Sequence, residues 1–257
     1  MTYLKYGSYP QTVVTDKNII SNLDSITDVD SNGYYSYDND EYAKLVADSF
    51  NDSDLFLDDV TELQTGETYY FKVEPIKWRV IYENEGTYQL LSEYILDEHE
   101  YDDSSNNYMD SEIREWLNDD FYKRAFTDKS RIQNTLVDNS AEYPNCPPNQ
   151  YACEDTNDNI FLLSYADVLN EDYGFSSEYD ESDGGNRKSV ISDYALSSGC
   201  CQLAQITNPD NCGLWLLRSP LHNISDFVSS VWDFGDVCLD MVYSSYEGVR
   251  PSLVISK

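Results

Sequence analysis

Three oxygen-bearing side chains near the start of the chain have the spacing of a calcium-binding loop. Asp28, Asp30 and Asn32 occupy alternate positions, and Gly33 follows them. Calcium loops place oxygen ligands at their first, third and fifth positions and a glycine at the sixth, where the chain turns sharply. The twelfth position of such a loop is a glutamate, but this chain has Asn39 there. The pattern predicts weak calcium binding at the three oxygen-bearing residues, with a flexible polar turn as the alternative.

Six cysteines form a second group of side chains that could carry chemistry. They are Cys146, Cys153, Cys200, Cys201, Cys212 and Cys238. No two of them form a Cys-x-x-Cys pair, which argues against a structural zinc site. The Pro- and Asn-rich segment between Cys146 and Cys153 predicts a small loop closed by a disulfide, while the other pairings stay open because six cysteines allow about fifteen connectivities. An even number of cysteines in loop-like sequence favours an oxidising compartment.

The remaining residue types give little support to catalysis. His99 and His222 are the only histidines, and neither lies in the context that a histidine-centred metal site or a Cys–His nucleophile would need. The neighbouring Cys200 and Cys201 could bind a soft metal, but ordinary disulfide partners elsewhere are the favoured interpretation. The 48 acidic residues supply too many pairs to single out two carboxylates for glycoside hydrolysis. We therefore expect no enzymatic activity and no cofactor other than calcium.

The charge of the chain limits its partners. Its 257 residues include 48 acidic against 16 basic ones, for a net charge of −32. Such a surface repels nucleic-acid phosphates and anionic membranes. No apolar run approaches the roughly 18 residues of a membrane helix, and the N-terminus lacks the basic and apolar regions of a signal peptide. We expect no nucleic-acid partner and no membrane insertion.

Short strands make up most of the regular structure that the sequence predicts. The β-favouring segments 68–73 and 75–82 predict strands, and after a turn the segment 87–92 returns as a hairpin partner. Further short strands are predicted at 160–163, 214–217, 228–234, 236–242 and 249–255. None of these strands alternates regularly with helices, so the pattern favours antiparallel pairing over a doubly wound sheet.

A few helices accompany the strands. Segments 111–126 and 187–198 have the apolar spacing of helices. Asp16 is placed to cap a short helix, and Ser164 with Asp167 resembles a capping box. The sequence thus predicts an α+β fold with mainly antiparallel short strands, two to four helices and long loops. We interpret residues 1–257 as a single domain, with an N-terminal elaboration over about 1–66 and a core over about 67–257.

An ordered set of short motifs resembles a known bacterial family. The motifs are Gly7-Ser8-Tyr9-Pro10-Gln11, Pro75-Ile76-Lys77-Trp78-Arg79-Val80, Leu91-Ser92-Glu93-Tyr94-Ile95-Leu96-Asp97, Arg114-x-Trp116-Leu117-Asn118, Phe121-Tyr122-x-x-Ala125-Phe126, Phe161-Leu162-Leu163-Ser164, Asp193-Tyr194-Ala195, Trp215-Leu216-Leu217-Arg218-Ser219-Pro220 and Gly248-Val249-Arg250-Pro251. Each is weak alone, but the set runs over nearly the whole chain and resembles domain-of-unknown-function family 6273. That family is similar in turn to the C-type-lectin-like fold of formylglycine-generating enzymes and of retroelement variable proteins.

The resemblance implies a C-type-lectin-like fold, in which the last two motifs of the set form a frame. We call these two, Trp215–Pro220 and Gly248–Pro251, the closing motifs. We expect Arg218 and Arg250 to be structural, because a guanidinium can bind carboxylates or carbonyls within the domain. Gly248 is expected to permit a tight turn or a positive φ.

The segment between the closing motifs supplies the predicted ligand site. In C-type-lectin-like folds this region carries the ligand-facing loops, and its Tyr, Ser, Trp and Asp residues suit adaptable recognition. The predicted ligand-binding residues are Trp232, Asp233, Phe234, Tyr243 and Tyr246. The alternative is that these side chains pack the sheet or decorate the surface.

These observations predict a non-enzymatic module, secreted or on the cell surface, that binds a glycan or a protein. An enzyme related in fold to formylglycine-generating enzymes, or a purely structural spacer domain, are the alternatives.

Overall fold

A computed structural model describes residues 1–48, 55–58, 60–140, 153–180, 185–200, 211–221 and 224–257. Its strands are β1 (Thr2–Val13), β2 (Tyr35–Tyr37), β3 (Asp40–Val46), β4 (Phe56–Leu57), β5 (Thr61–Glu62), β6 (Thr68–Glu83), β7 (Thr87–Ser92), β8 (Asp97–Glu98), β9 (Thr135–Val137), β10 (Thr156–Asp158), β11 (Trp215–Pro220), β12 (Phe227–Val231), β13 (Val237–Met241), β14 (Gly248–Val249) and β15 (Ser252–Ser256). Its α-helices are α1 (Lys17–Leu23), α2 (Glu112–Trp116), α3 (Tyr122–Ala125) and α4 (Asp193–Ser198). Within the described residues, no helix is both long and apolar enough to cross a membrane.

A six-stranded antiparallel sheet is built around the long strand β6. Along one edge of β6 runs β1, while β3 and β7 share the other edge, and β15 and β2 complete the sheet beyond them. The two strands predicted at 68–73 and 75–82 are thus one continuous strand, and the predicted hairpin with 87–92 is confirmed.

A second sheet of five strands contains the closing motifs. Its order is β13-β12-β11-β14-β8, and only the β11–β14 pair is parallel. The predicted α+β class with mainly antiparallel pairing is confirmed. The segment predicted as one strand at 249–255 is split into β14 and β15, because Arg250 and Pro251 leave the second sheet and the chain then joins β7 of the first.

The two arginines of the closing motifs are structural, as predicted. Arg250 is fully buried, lies over the Trp215 ring at 4.9 Å and donates to the carbonyls of Ser92 and Arg187. Arg218 donates to the carboxylate of Asp167 at 2.8 Å and to two backbone carbonyls. Their donors therefore tie the second sheet to neighbouring segments.

Gly248 was expected to permit a tight turn or a positive φ, and this expectation was wrong, because Gly248 lies in strand β14 and does not have a positive φ. A Cβ built there would lie 2.3 Å from Cγ2 of Ile95, 2.7 Å from the Leu214 carbonyl and 2.9 Å from Sγ of Cys200. Gly248 therefore allows close approach of neighbouring segments rather than a turn.

The helix predicted at 111–126 is confirmed in extent, with a π-helical segment, Leu117–Phe121, joining α2 to α3. The helix predicted at 187–198 was wrong in its first half. Ser192 caps α4 by accepting from the Ala195 amide at 3.1 Å, and Ile191 forms a parallel bridge with Ile95 instead of continuing a helix.

The predicted N-terminal elaboration shares its core with the rest of the chain. Tyr9 and Val13 of β1 are buried in the same apolar cluster as Trp78 and Trp215. Beyond it, Leu23 of α1 packs in a small separate cluster.

Candidate functional site

The predicted ligand residues Trp232, Asp233 and Phe234 lie in the turn that joins β12 to β13. Trp232 both donates to the Asp236 carbonyl and accepts from the Gly235 amide, each at 2.8 Å. The Trp232 and Phe234 side chains are 37% and 36% exposed, whereas Asp233 is buried. The turn therefore presents two aromatic rings to solvent, and the side chain of Asp233 between them is buried.

The predicted residues Tyr243 and Tyr246 lie at the opposite end of β13 from the turn. That strand has five residues, which at about 3.4 Å each spans ~17 Å. Tyr243 is exposed, while the Tyr246 hydroxyl donates to Asp240 at 3.1 Å. The structure thus divides the predicted residues into two groups, one at each end of the strand.

A buried carboxyl, Glu247, follows Tyr246 in the chain. Burial, with the nearby charge of Asp240, raises the pKa of Glu247 well above its usual value.

A third exposed aromatic residue, Tyr179, reaches the β12–β13 turn from another segment. Its carbonyl accepts from the Val237 amide at 2.8 Å, and its side chain is 64% exposed. The sequence interpretation missed this residue because it belongs to an acidic, loop-like stretch with no periodicity. We call Tyr179, Trp232 and Phe234 the aromatic turn.

One buried arginine fixes the aromatic turn to the domain. Arg187 is fully buried and donates to the carbonyls of Gly235 at 2.7 Å and Asp180 at 2.8 Å. It also donates to the carbonyls of Ser176 and Val168. The fork of donors on this one buried side chain therefore holds the turn that carries Trp232 and Phe234 to the segment that carries Tyr179. This role was not predicted from the sequence.

A polar groove lies along the paired strands β1 and β6, with a volume of about 370 Å³. It is lined by Lys5, Gln11, Thr12, Glu74, Pro75, Lys77, Tyr94, Ile191, Ser192 and Asp193. A smaller cavity of about 290 Å³ adjoins it and shares Lys5 and Pro75. Arg187 contacts the aromatic turn, and a few positions later in the chain the residues Ile191–Asp193 line the groove. This segment therefore connects the aromatic turn to the groove.

Strand β8 carries two acidic residues with unusual surroundings. Asp97 is buried and accepts from the Tyr9 hydroxyl at 2.5 Å; burial raises the pKa of Asp97, although that hydrogen bond opposes the rise. Burial also raises the pKa of Glu98 to about 8, with contributions from the charges of Asp97, Glu100 and Asp48. Glu98 therefore carries a proton over much of the neutral range.

A family model described as domain of unknown function (DUF6273) matches residues 85–257. The chain belongs to the DUF6273 family. No curated protein and no solved structure matches the chain. The matched part of this DUF6273 protein contains the aromatic turn and both closing motifs, whereas β1 and β6, whose motifs also contributed to the resemblance, precede it.

The predicted calcium loop of this DUF6273 protein is a compact turn. Asp30 Oδ1 accepts from the amides of Asn32 at 2.8 Å and Tyr34 at 2.7 Å, and Asp28 is exposed. Among the residues that the structure describes, no three His, Cys, Asp or Glu side chains are grouped to hold a metal. Calcium binding here stays a prediction.

The predicted disulfide involves a residue outside the described ranges, Cys146. Its predicted partner, Cys153, is a half-buried free thiol, and burial raises its pKa. The pairing of these two cysteines stays a prediction.

The raised pKa of Glu98 gives the DUF6273 domain a testable dependence of stability on pH. In the unfolded chain this carboxyl loses its proton near pH 4.5, but in the folded chain it keeps it to about pH 8. Its contribution to stability therefore falls as the pH rises through that window. Since Glu98 is partly exposed, we expect Glu98→Gln to raise the free energy of unfolding at pH 8 by only about 1–3 kcal/mol.

Urea unfolding at pH 4 and pH 8 measures this effect. At pH 4 the variant and the parent protein should have the same stability, because the carboxyl is protonated in both states. Glu85→Gln, at an exposed turn, is the matched control and should change little at either pH. Equal effects of the two substitutions at pH 8 would contradict the burial of Glu98 as the cause.

Proposed function

We propose that this domain is a non-enzymatic binding module, secreted or displayed on the cell surface, and that it binds a glycan at the aromatic turn. The observation that carries this proposal is the exposure of Trp232 and Phe234 on a turn whose base is held by the buried Arg187. Aromatic rings offer flat apolar faces, which suit the apolar faces of sugar rings. A platform that is already rigid loses little conformational entropy when a ligand binds.

A protein ligand is the second candidate, and Tyr179 is the observation that favours it. Tyr and Trp are enriched among the residues that dominate protein interfaces, and Tyr179 adds a third exposed ring beside the turn. A standard protein interface covers about 800 Å² on each partner, however, whereas a short saccharide can be held by two or three rings. The small size of the aromatic turn therefore favours the glycan.

The fold of this module is proposed to be C-type-lectin-like. The support is the arrangement of its closing motifs: the Trp215 strand lies parallel to the Gly248 strand, and Arg250 covers the Trp215 ring. The segment between the two motifs forms the β12–β13 hairpin, and the turn of this hairpin carries Trp232 and Phe234.

A glycan-binding screen, run with and without millimolar calcium, tests the function. We expect Trp232→Ala and Phe234→Ala each to weaken binding of a glycan hit at least about tenfold, which corresponds to ~1.4 kcal/mol. Because both side chains are exposed, the melting temperature should stay within a few degrees.

Tyr243→Ala is the matched control, since this tyrosine is also exposed, at 47%, but lies at the far end of β13. It should bind the glycan as the parent protein does. If Tyr243→Ala abolishes binding while Trp232→Ala does not, the ligand binds at the other end of the strand and the proposal fails.

A further inference from the structure

Two lysines face each other across the β1–β6 pair at one end of the polar groove. Lys5 and Lys77 are directly opposite in the antiparallel register, and both line the groove. Side chains opposite one another in an antiparallel pair have Cβ atoms about 5 Å apart, and like charges there are destabilising. The chain has only 16 basic residues against 48 acidic ones, so chance placement favours an acidic neighbour for each lysine. The unfavourable pair therefore calls for a compensating group.

The nearby acidic side chains are already engaged by other donors. Glu93 is 3.9 Å from Nζ of Lys77, but Arg79 contacts the same carboxylate at 3.0 Å with two of its nitrogens. Lys77 lies instead over the Tyr3 ring, at 4.3 Å from its centroid. Lys5 is exposed and lines both the groove and the adjoining cavity. Lys77 therefore shares Glu93 with Arg79 through the longer of the two ion pairs, and within the described residues Lys5 has no ion pair.

The far end of the groove is acidic but internally satisfied. Glu74 accepts from the Thr12 hydroxyl at 2.6 Å, and Asp193 accepts from the amides of Val13 and Asp58. Their negative charge repels an anion from that end of the groove. An anionic group that entered the groove would thus be placed at Lys5 and Lys77.

We propose that the groove binds an oligosaccharide that carries carboxylate groups, with one carboxylate held between Lys5 and Lys77. The rest of the groove favours a saccharide over a peptide, because hydroxyl and amide side chains outnumber apolar ones along it: Gln11, Thr12, Tyr94 and Ser192 against Pro75 and Ile191. The net charge of −32 slows the approach of such a ligand, but at physiological salt charges more than about 8 Å away are largely screened. Inside the groove the two ammonium groups attract the carboxylate, while Glu74 and Asp193 repel it from the other end. This site is separate from the aromatic turn and does not depend on glycan binding there.

Calorimetry with matched hexasaccharides at physiological salt tests the site. The probes are hexamers of galacturonate, of alginate and of hyaluronan, each compared with its neutral methyl ester. At least one acid hexamer should bind at least about tenfold more tightly than its ester. The double variant Lys5→Gln with Lys77→Gln should lose that preference.

Two controls separate this site from other effects. Lys17→Gln with Lys123→Gln removes the same charge from exposed lysines that do not line the groove, and it should keep the preference for the acid. Trp232→Ala should keep it as well, so that failure of the aromatic turn and failure of the groove are told apart. The proposal is overturned if no acid hexamer binds, if acid and ester bind alike, or if both lysine double variants weaken binding equally.

Discussion

Replacing Gly248 with alanine is expected to lower the free energy of unfolding by about 3 kcal/mol or more. The new methyl group would meet the Ile95 side chain, the Leu214 carbonyl and the Cys200 sulfur, all within 3.0 Å. The Leu214 carbonyl cannot move away freely, because it accepts from the Gly248 amide at 3.0 Å. Relief of the clash therefore requires β14 to separate from β11 or β8, which disrupts the second sheet at β14.

Urea unfolding at 25 °C measures this loss, and Gly86→Ala is its matched control. Gly86 lies in the turn between β6 and β7, has no positive φ, and no heavy atom lies within 4 Å of a Cβ built there. Its substitution should change stability by less than about 0.5 kcal/mol. If Gly248→Ala loses as little as is expected of Gly86→Ala, the neighbouring strands adjust without cost, which contradicts the close approach at β14.

Local signals in the sequence predicted the elements that local interactions define. Asp16 caps α1, and Ser164 and Asp167 bind each other's amides in the reciprocal manner of a capping box. The apolar spacing behind Ser111 predicted the long helical segment, and the turn after β6 predicted its hairpin with β7. Each of these depends on residues within a few positions of one another, so one sequence is enough to find them.

Features set by distant contacts were not predictable in the same way. The segment before α4 has helical spacing, but Ile191 pairs with Ile95 and the Arg187 side chain points into the core. Likewise, a side chain at position 248 would clash with Ile95 and Cys200, which are distant from Gly248 in the sequence. Tertiary contacts override local preference at these positions.

The candidate sites also combine features that the local sequence predicts with features that depend on distant contacts. The resemblance to C-type-lectin-like folds, together with the composition of the segment around Trp232, predicted ligand-facing aromatic residues, and two of them are exposed. It could not predict that Tyr243 lies at the other end of β13, or that Tyr179 joins the turn, because both depend on strand pairing. The pairing of Lys5 with Lys77 required the register of β1 against β6, which no local pattern supplies.

Arg187→Met is expected to lower the free energy of unfolding by at least about 3 kcal/mol and to free the aromatic turn. Methionine is similar in volume but has none of the donors, so four carbonyls lose their hydrogen bonds, and the bonds to two of them, Gly235 and Val168, are fully buried. Each buried polar group left unpaired costs about 1–3 kcal/mol. Two of these carbonyls, those of Gly235 and Asp180, belong to the segments that hold the exposed rings. The loss of stability should therefore be concentrated at the turn.

Hydrogen exchange and urea unfolding together separate the two effects. In Arg187→Met, under native conditions, amides of residues 232–237 should exchange faster, while those of the β6–β7 hairpin stay protected. Arg131→Met is the matched control, because within the described part of the chain the Arg131 guanidinium donates only to the Ser256 carbonyl and is not fully buried. This variant should leave the turn protected. If Arg187→Met lowers global stability but exchange at the turn does not change, this arginine stabilises the core without holding the aromatic turn. The rigid platform on which the proposed glycan site depends would then have to come from the strand pairing of β12 and β13 alone.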